Sequence, residues 1–292
     1  MVPVIRELHQ KSGFELSAIC AALGVKRSSF YARSGAHQSD RARTDEILRT
    51  HVTSIFKEHR RRYGSRRIAV ELKRQNIAGC GRARTRRLMA ENRLIATKTP
   101  RRYVVRTSDG AAERRAPNLL RKLSEPVSKL DQIWVADITY LPTTGEKPLY
   151  LAVVMDAFSR RVIGWKLADH LRSSLTIDAL KKAIHTRNPN PGLMIHTDQG
   201  SQYGSRAYRD TLDSIQAHQS MSRRGNCYDN STMESAFGTL KDELIEKGAF
   251  CSAEDAHIEL FEYLEIYYNR KRLHSSLGYI TPEEFELKQT KS

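Results

Sequence analysis

The periodicity of the chain changes at residue 131, and that change constrains the fold more than any other feature. Residues 133–140, 149–156 and 161–167 are short runs rich in β-branched and aromatic side chains, the signature of strands. A helical period follows over 174–187, with Leu175, Leu180 and Ile184 on one face. Then come a short apolar strand at 193–196, a helix at 205–214, a strand at 216–221 and helices at 231–247 and 253–269. The order β-β-β-α-β-α-β-α-α predicts an α/β domain over 131–292, a mixed sheet flanked by helices.

Three segments of this half carry acids in telling places. They are Trp134-Val-Ala-Asp137-Ile-Thr-Tyr, His196-Thr-Asp198-Gln-Gly-Ser-Gln-Tyr and Asn226-Cys-Tyr-Asp-Asn-Ser-Thr-Met-Glu234, with Glu234 36 residues after Asp198. The element order is that of a ribonuclease-H-like domain. In such a sheet the first and fourth strands are neighbours, so Asp137 and Asp198 emerge at one edge and Glu234, on a following helix, can reach it. Clustered carboxylates repel without a cation. Mg²⁺ takes carboxylate oxygens and keeps several waters. Two such ions about 4 Å apart activate an attacking hydroxyl and stabilise a departing oxygen. Each acid also has a plainer reading. Asp137 can end a strand, Asp198 can cap a turn with Gly200, and Glu234 can close a capping box with Ser231. Asp229 competes for the third position, with Asp229 or Asn230 read as a loop or cap group before the helix. Lys241, seven residues after Glu234, falls on the same helix face, as a phosphate contact or as a partner of nearby acids.

The other half is basic. Residues 1–130 hold 30 Lys and Arg against 11 Asp and Glu, while 131–292 hold 19 against 22. This asymmetry points to a polyanion partner for the first half. Residues 16–31 read as two short helices turning at Gly24, with Val25, Phe30 and Tyr31 closing a small core. This is a helix-turn-helix pattern or an ordinary helical hairpin. A second such pattern spans 63–89, with Ile68, Leu72 and Leu88 inward. Arg82, Arg84, Arg86 and Arg87 decorate its second helix, suited to phosphate and base edges or simply to solvent. The domain reading is therefore a helical segment at 1–40, a helix-turn-helix-like DNA-binding domain at 41–96, an extended basic linker at 97–130 and the α/β domain at 131–292. Near the C-terminus, Arg270, Arg272 and His274 sit in a basic stretch facing DNA, with a structural role for His274 equally open.

Cys20, Cys80, Cys227 and Cys251 form no Cys-x-x-Cys pair, which argues against a zinc knuckle. No apolar run approaches the ~18 residues of a membrane span, and nothing resembles a signal peptide. The expectation is a reduced cytoplasmic protein with no membrane partner.

Taken together, these motifs resemble the DDE transposases of bacterial insertion sequences, of the second-reading-frame type with a retroviral-integrase-like core. The three acidic segments, Lys241, the tail Tyr268-Asn-Arg-Lys-Arg-Leu-His274-Ser-Ser-Leu-Gly-Tyr-Ile-Thr-Pro282 and the Tyr63-Gly-Ser-Arg-Arg-Ile68 region carry the resemblance, which runs from about residue 5 to 287. It implies metal-dependent transesterification at the element's ends. Asp137, Asp198 and Glu234 would bind two Mg²⁺, or Mn²⁺ in their place, and no covalent protein–DNA intermediate would form. It also implies double-stranded DNA as partner, a homo-oligomer on that DNA, nucleoid association, and an upstream-reading-frame protein with which such chains are fused by frameshifting. The alternative is an accessory or regulatory DNA-binding protein, inactive without that fusion.

Overall fold

The structure is a computed structural model that describes residues 1–34, 39–97, 115–144, 148–223, 230–245 and 249–290. Asp229, Cys227 and residues 98–114 of the expected linker lie outside the described residues. The chain divides into two compact units, Met1–Ala96 and Thr97–Ser292.

The first unit is helical. Helices α1 (Val2–Ser12), α2 (Leu16–Ala22) and α3 (Arg27–Arg33) enclose a small cluster of Ile5, Ile19, Cys20 and Phe30, with Val25 packed against it. Gly24 makes the expected turn in the left-handed region, at φ +64°. Tyr31 departs from expectation: it is 47 % exposed, while its neighbour Phe30 points inward from α3. Helices α4 (Asp40–Glu58), α5 (Ser65–Arg74) and α6 (Arg82–Glu91) form the second cluster. Ile68, Leu72 and Leu88 are buried there as expected, together with Leu48, Val52 and Ile55 from α4.

The second unit is built on a five-stranded mixed sheet. Its strands are β1 (Ile133–Leu141), β2 (Leu149–Asp156), β3 (Val162–Ala168), β4 (Met194–Thr197) and β5 (His218–Met221), in the spatial order β3-β2-β1-β4-β5. β1–β2 and β2–β3 are antiparallel, whereas β1–β4 and β4–β5 are parallel. β1 is central and mostly buried along its length, which explains its near-continuous apolar run where an exposed strand would alternate. Helix α7 (Ser173–Arg187), the short α8 (Ser201–Gly204) and α9 (Arg206–Ser214) pack on one side. Trp134, Ala136 and Ile138 of β1 face that core. By the two-residue period of a strand, Asp137 turns the other way.

Helix α10 (Ser231–Leu244) packs against β1, burying Met233, Phe237 and Leu240 along one stripe. Helix α11 (Ala253–Phe261) runs into a π-helical segment, Glu262–Tyr268, and α12 (Pro282–Gln289) ends the fold. Neither the π-helical segment nor α12 was expected from periodicity. Residues 115–119 of the expected linker form no helix or strand, and they are fastened to the sheet. Leu119 N donates to Ser220 Oγ at 2.9 Å, and Met221 N donates to the Pro117 carbonyl at 3.2 Å.

Sheet and helix approach closely at Gly164 on β3. A Cβ there would stand 2.3 Å from the Ala179 carbonyl oxygen and 2.7 Å from Ala183 N on α7, both backbone atoms. Gly164→Ala is expected to destabilise the fold by about 1–3 kcal/mol through overpacking. Gly238→Ala, at an exposed helical site with nothing within 4 Å of an added Cβ, is expected to stabilise by about 0.5–1 kcal/mol. Urea titration of the two variants checks both signs.

Candidate active site

Sheet register brings the two aspartates together. β4 runs parallel to β1 with Ile133↔Met194, Trp134↔Ile195 and Val135↔His196 as partners. Two further steps along the same register set Asp198 opposite Asp137, just past the end of β4. Asp198 is then held in a tight turn: its Oδ1 accepts from Gly200 N at 2.9 Å. A Cβ on Gly200 would come to 3.0 Å from that same oxygen, so a side chain would crowd the carboxylate. The turn reading of Asp198 with Gly200 thus holds locally, and it orients the acid toward the edge.

Asp137 is half-buried. Its Oδ1 accepts from Ile138 N at 2.8 Å and its Oδ2 from Asn230 Nδ2 at 3.2 Å. Burial, then the charges of Asp198 and Glu234, push its pKa up to about 8, against the Ile138 N–H and the Lys241 ammonium. Burial raises Asp198 also, with the Gly200 N–H opposing it. Lys241 is drawn down by burial while Asp137 favours its charged form, which places the ammonium at the same edge, as the shared helix face with Glu234 requires. The Tyr203 hydroxyl is buried and stands in the field of both Asp137 and Asp198.

Glu234 lies in the first turn of α10 and is exposed. It is close enough to Asp137 to affect its charge. Yet among the described residues no three His, Cys, Asp or Glu side chains gather into an ion-sized cage. The expected capping box with Ser231 is not formed: Asn230 is the N-cap residue, no side chain caps the helix, and Ser231 already lies inside the first turn. Asn230 stands before the helix as expected, but its side chain is directed to Asp137 rather than to the first-turn N–H groups. Two ties hold α10 over the sheet. Arg160 Nη1 donates to Thr232 Oγ1 at 2.6 Å near the start of the helix. Near its end, Glu243 accepts from Arg272 Nε at 2.8 Å, Arg272 Nη2 at 2.7 Å and the Tyr263 hydroxyl at 2.9 Å.

Four of the basic residues read as DNA contacts are paired within the fold, two of them buried and two partly exposed. Arg272 is buried in its forked pair with Glu243, and His274 is buried, its Nε2 3.4 Å from the Tyr268 carbonyl and its ring edge-on to Tyr268. Arg84 and Arg87 both bind Asp45 of α4, each at 2.6 Å. Arg82 and Arg86 are exposed on α6, and Arg270 is mostly exposed, 3.6 Å from Glu283. Sequence reasoning passed over Tyr203 and Gln199 as neighbours of the acids, although both lie within the His196–Tyr203 block. The Gln199 Oε1 and Asn230 Oδ1 atoms are buried without a partner among the described residues.

Fold and sequence agree on the class. An integrase core domain model matches residues 128–227, a second integrase core domain model matches 215–282, and an HTH-like domain model matches 42–103. The second unit is an integrase-type, ribonuclease-H-like core, and the protein is an enzyme of the DDE polynucleotidyl transferase type. Among relatives, the transposase of insertion sequence IS904 from Lactococcus lactis is 41 % identical over 241 residues, 82 % of this chain and 94 % of that protein. The transposase InsF of IS3A from Escherichia coli is 35 % identical over 289 residues, 98 % of each chain. A 31 kDa protein of IS600 from Shigella sonnei is 38 % identical over 270 residues, 92 % of this chain and 98 % of that protein. The HTLV-2 integrase catalytic core domain in complex with magnesium, 19 % identical, covers 53 % of this chain and 95 % of that one at a TM-score of 0.41. The chain belongs to the transposases of bacterial insertion sequences. No helix among the described residues is long and apolar enough to cross a membrane.

Removing one partner of a buried ion pair leaves the other charge stranded. Arg272→Met is therefore expected to cost about 3–5 kcal/mol, whereas Arg270→Ala is expected to stay within about 0.5 kcal/mol. Chemical denaturation measures both, and equal effects would mean that the Glu243 pair does not anchor α10.

Proposed function

We propose that the chain cleaves and joins DNA strands at the ends of its insertion element, with Asp137, Asp198 and Glu234 as ligands for two divalent cations, Mg²⁺ or Mn²⁺. The observation that carries this reading is the parallel β1–β4 register, which sets Asp198 beside Asp137 beneath the helix that bears Glu234. The donor set suits a hard cation. It is all oxygen, Asp198 and Glu234 both raise the pKa of Asp137, and buried polar atoms without partners among the described residues lie beside it. When bound, such ions supply Lewis-acid polarisation of the phosphate and an acidified hydroxyl.

The chain's own residues do the rest. The Gly200 N–H fixes one oxygen of Asp198, and Asn230 and the Ile138 N–H fix Asp137, so both carboxylates are oriented before substrate arrives. The Lys241 ammonium at this edge offers a counter-charge to a phosphate. Water, or a DNA 3′-hydroxyl, attacks a phosphodiester. The P–O bond to the leaving strand breaks as the new one forms, and the freed 3′-hydroxyl can attack a second strand. One P–O bond replaces another, so strand joining needs no external energy source. No side chain becomes covalently attached to DNA.

The DNA grip is assigned to residues 41–96, with Arg82 and Arg86 on the exposed face of α6 as phosphate or base contacts. Arg84 and Arg87 instead hold α6 to α4. Bringing two element ends together requires at least two protomers, so a homo-oligomer on DNA is part of the proposal. A second reading, an accessory DNA-binding form that needs an upstream-frame fusion partner for activity, draws on the exposed Glu234, which is not gathered with the aspartates.

With labelled duplexes carrying the element's ends, Mg²⁺- or Mn²⁺-dependent joined product is expected from the wild type. Asp137→Asn, Asp198→Asn and Glu234→Gln are each expected to abolish it while leaving DNA binding nearly unchanged. Full strand joining by any one of them removes that residue from the ligand set. Binding without product in the wild type, restored by the fusion partner, would favour the accessory reading. Arg82→Ala with Arg86→Ala is expected to weaken binding and reduce its salt slope by roughly 2, and an unchanged slope would place the grip elsewhere.

A further inference from the structure

Asn230 breaks a local rule. It occupies the N-cap position of α10, where asparagine is among the best residues because its side-chain oxygen can accept from the free N–H groups of the first turn. Here its side chain makes no cap bond, and its backbone sits at φ −126°, ψ 27°, away from the extended conformation of a capping residue. The side chain is only 7 % exposed. Its Nδ2 donates to Asp137 Oδ2 at 3.2 Å, the sense of bond that the ionised carboxylate of a metal ligand requires. Its Oδ1 is buried with no hydrogen-bond partner among the described residues. A buried carbonyl without a partner among the described residues, on a side chain that has given up a local bond, marks a place where a donor from outside those residues fits. The donor must lie beside Asp137, because Asn230 is anchored there by its other end.

We propose that Asn230 is a positioning residue of the metal site, holding Asp137 through Nδ2 and accepting through Oδ1 from a water molecule of the bound cation's hydration shell. Hydrated Mg²⁺ or Mn²⁺ brings such donors with it. Carboxylate ligands are commonly oriented by hydrogen bonds of this kind, and their loss costs ~10–100-fold in metal affinity. The inference rests on the reading of Asp137 and Asp198 as metal ligands.

The test is calorimetric titration of the full-length, DNA-free protein with MnCl₂, alongside thermal unfolding. Wild type is compared with Asn230→Ala, Asn230→Ser and Asp137→Asn. Serine is itself a good N-cap and is too short to span to Asp137 while offering an amide acceptor. It therefore restores a capping role without restoring the positioning role. Both Asn230 variants are expected to bind Mn²⁺ at least about tenfold more weakly, with the melting temperature of Asn230→Ser at or above that of wild type. Wild-type affinity in Asn230→Ser would show Asn230 to be a helix cap and overturn the inference. If Asp137→Asn loses Mn²⁺ while both Asn230 variants keep it, the inference falls and the metal-site reading stands. If wild type takes up no Mn²⁺, or Asp137→Asn binds as wild type does, both fall.

Discussion

Parallel pairing of β1 with β4 is the constraint on which the catalytic unit depends. The two strands are separated by a hairpin partner, a third strand and a fifteen-residue helix, yet their register puts Val135 against His196 and so carries Asp198 to Asp137. A slip of one residue would turn every side chain of β4 to the opposite face. The core prevents it, since Ile195 shares its cluster with Trp134 and Leu180. Hydrophobic packing thereby enforces an electrostatically unfavourable meeting of like charges. Asp137 shows the cost, its pKa displaced to about 8 by burial and by neighbouring acids. In the proposed reading a divalent cation would turn that cost into binding free energy.

The third acid is placed by different means. Glu234 rides on α10, and the helix is fixed by contacts remote from the acids. Arg160 on the β2–β3 turn holds its first turn, and the buried Glu243–Arg272–Tyr263 group holds its last. The C-terminal basic stretch is therefore part of the scaffold of the site. Asn269 extends the same role by bonding both the N–H and the carbonyl of Val162 on β3. α12 is joined in turn through Glu286, which pairs with Arg161 and Arg187 and accepts from Ser159.

Much of this was legible in the sequence, for physical reasons that differ by element. Strands β1 and β2 were readable because a strand covered on both faces must be apolar almost throughout. The turn at Gly24 was readable because only a residue without a Cβ adopts φ +64° freely. What stayed hidden was any feature set by a partner distant along the chain. Arg84 and Arg87 looked like a DNA-facing row until α4 supplied Asp45, 39 and 42 residues earlier. Arg272 and His274 looked like surface cations until Glu243 and Tyr268 enclosed them. Capping motifs misled for a local reason. Ser231 and Glu234 have the capping spacing but lie one residue too far into the helix, whereas the box that does form joins Thr281 and Glu284.

The central claim is that Asp137, Asp198 and Glu234 converge on divalent cations. Anomalous diffraction from crystals of the protein grown with element-end DNA and Mn²⁺ tests it most directly, because manganese is located without reference to the protein's chemistry. Anomalous peaks bounded by the Asp137 and Asp198 carboxylates are expected, with Glu234 of α10 completing the coordination. Manganese ordered only elsewhere, with these three acids bonded solely to protein groups, would contradict it.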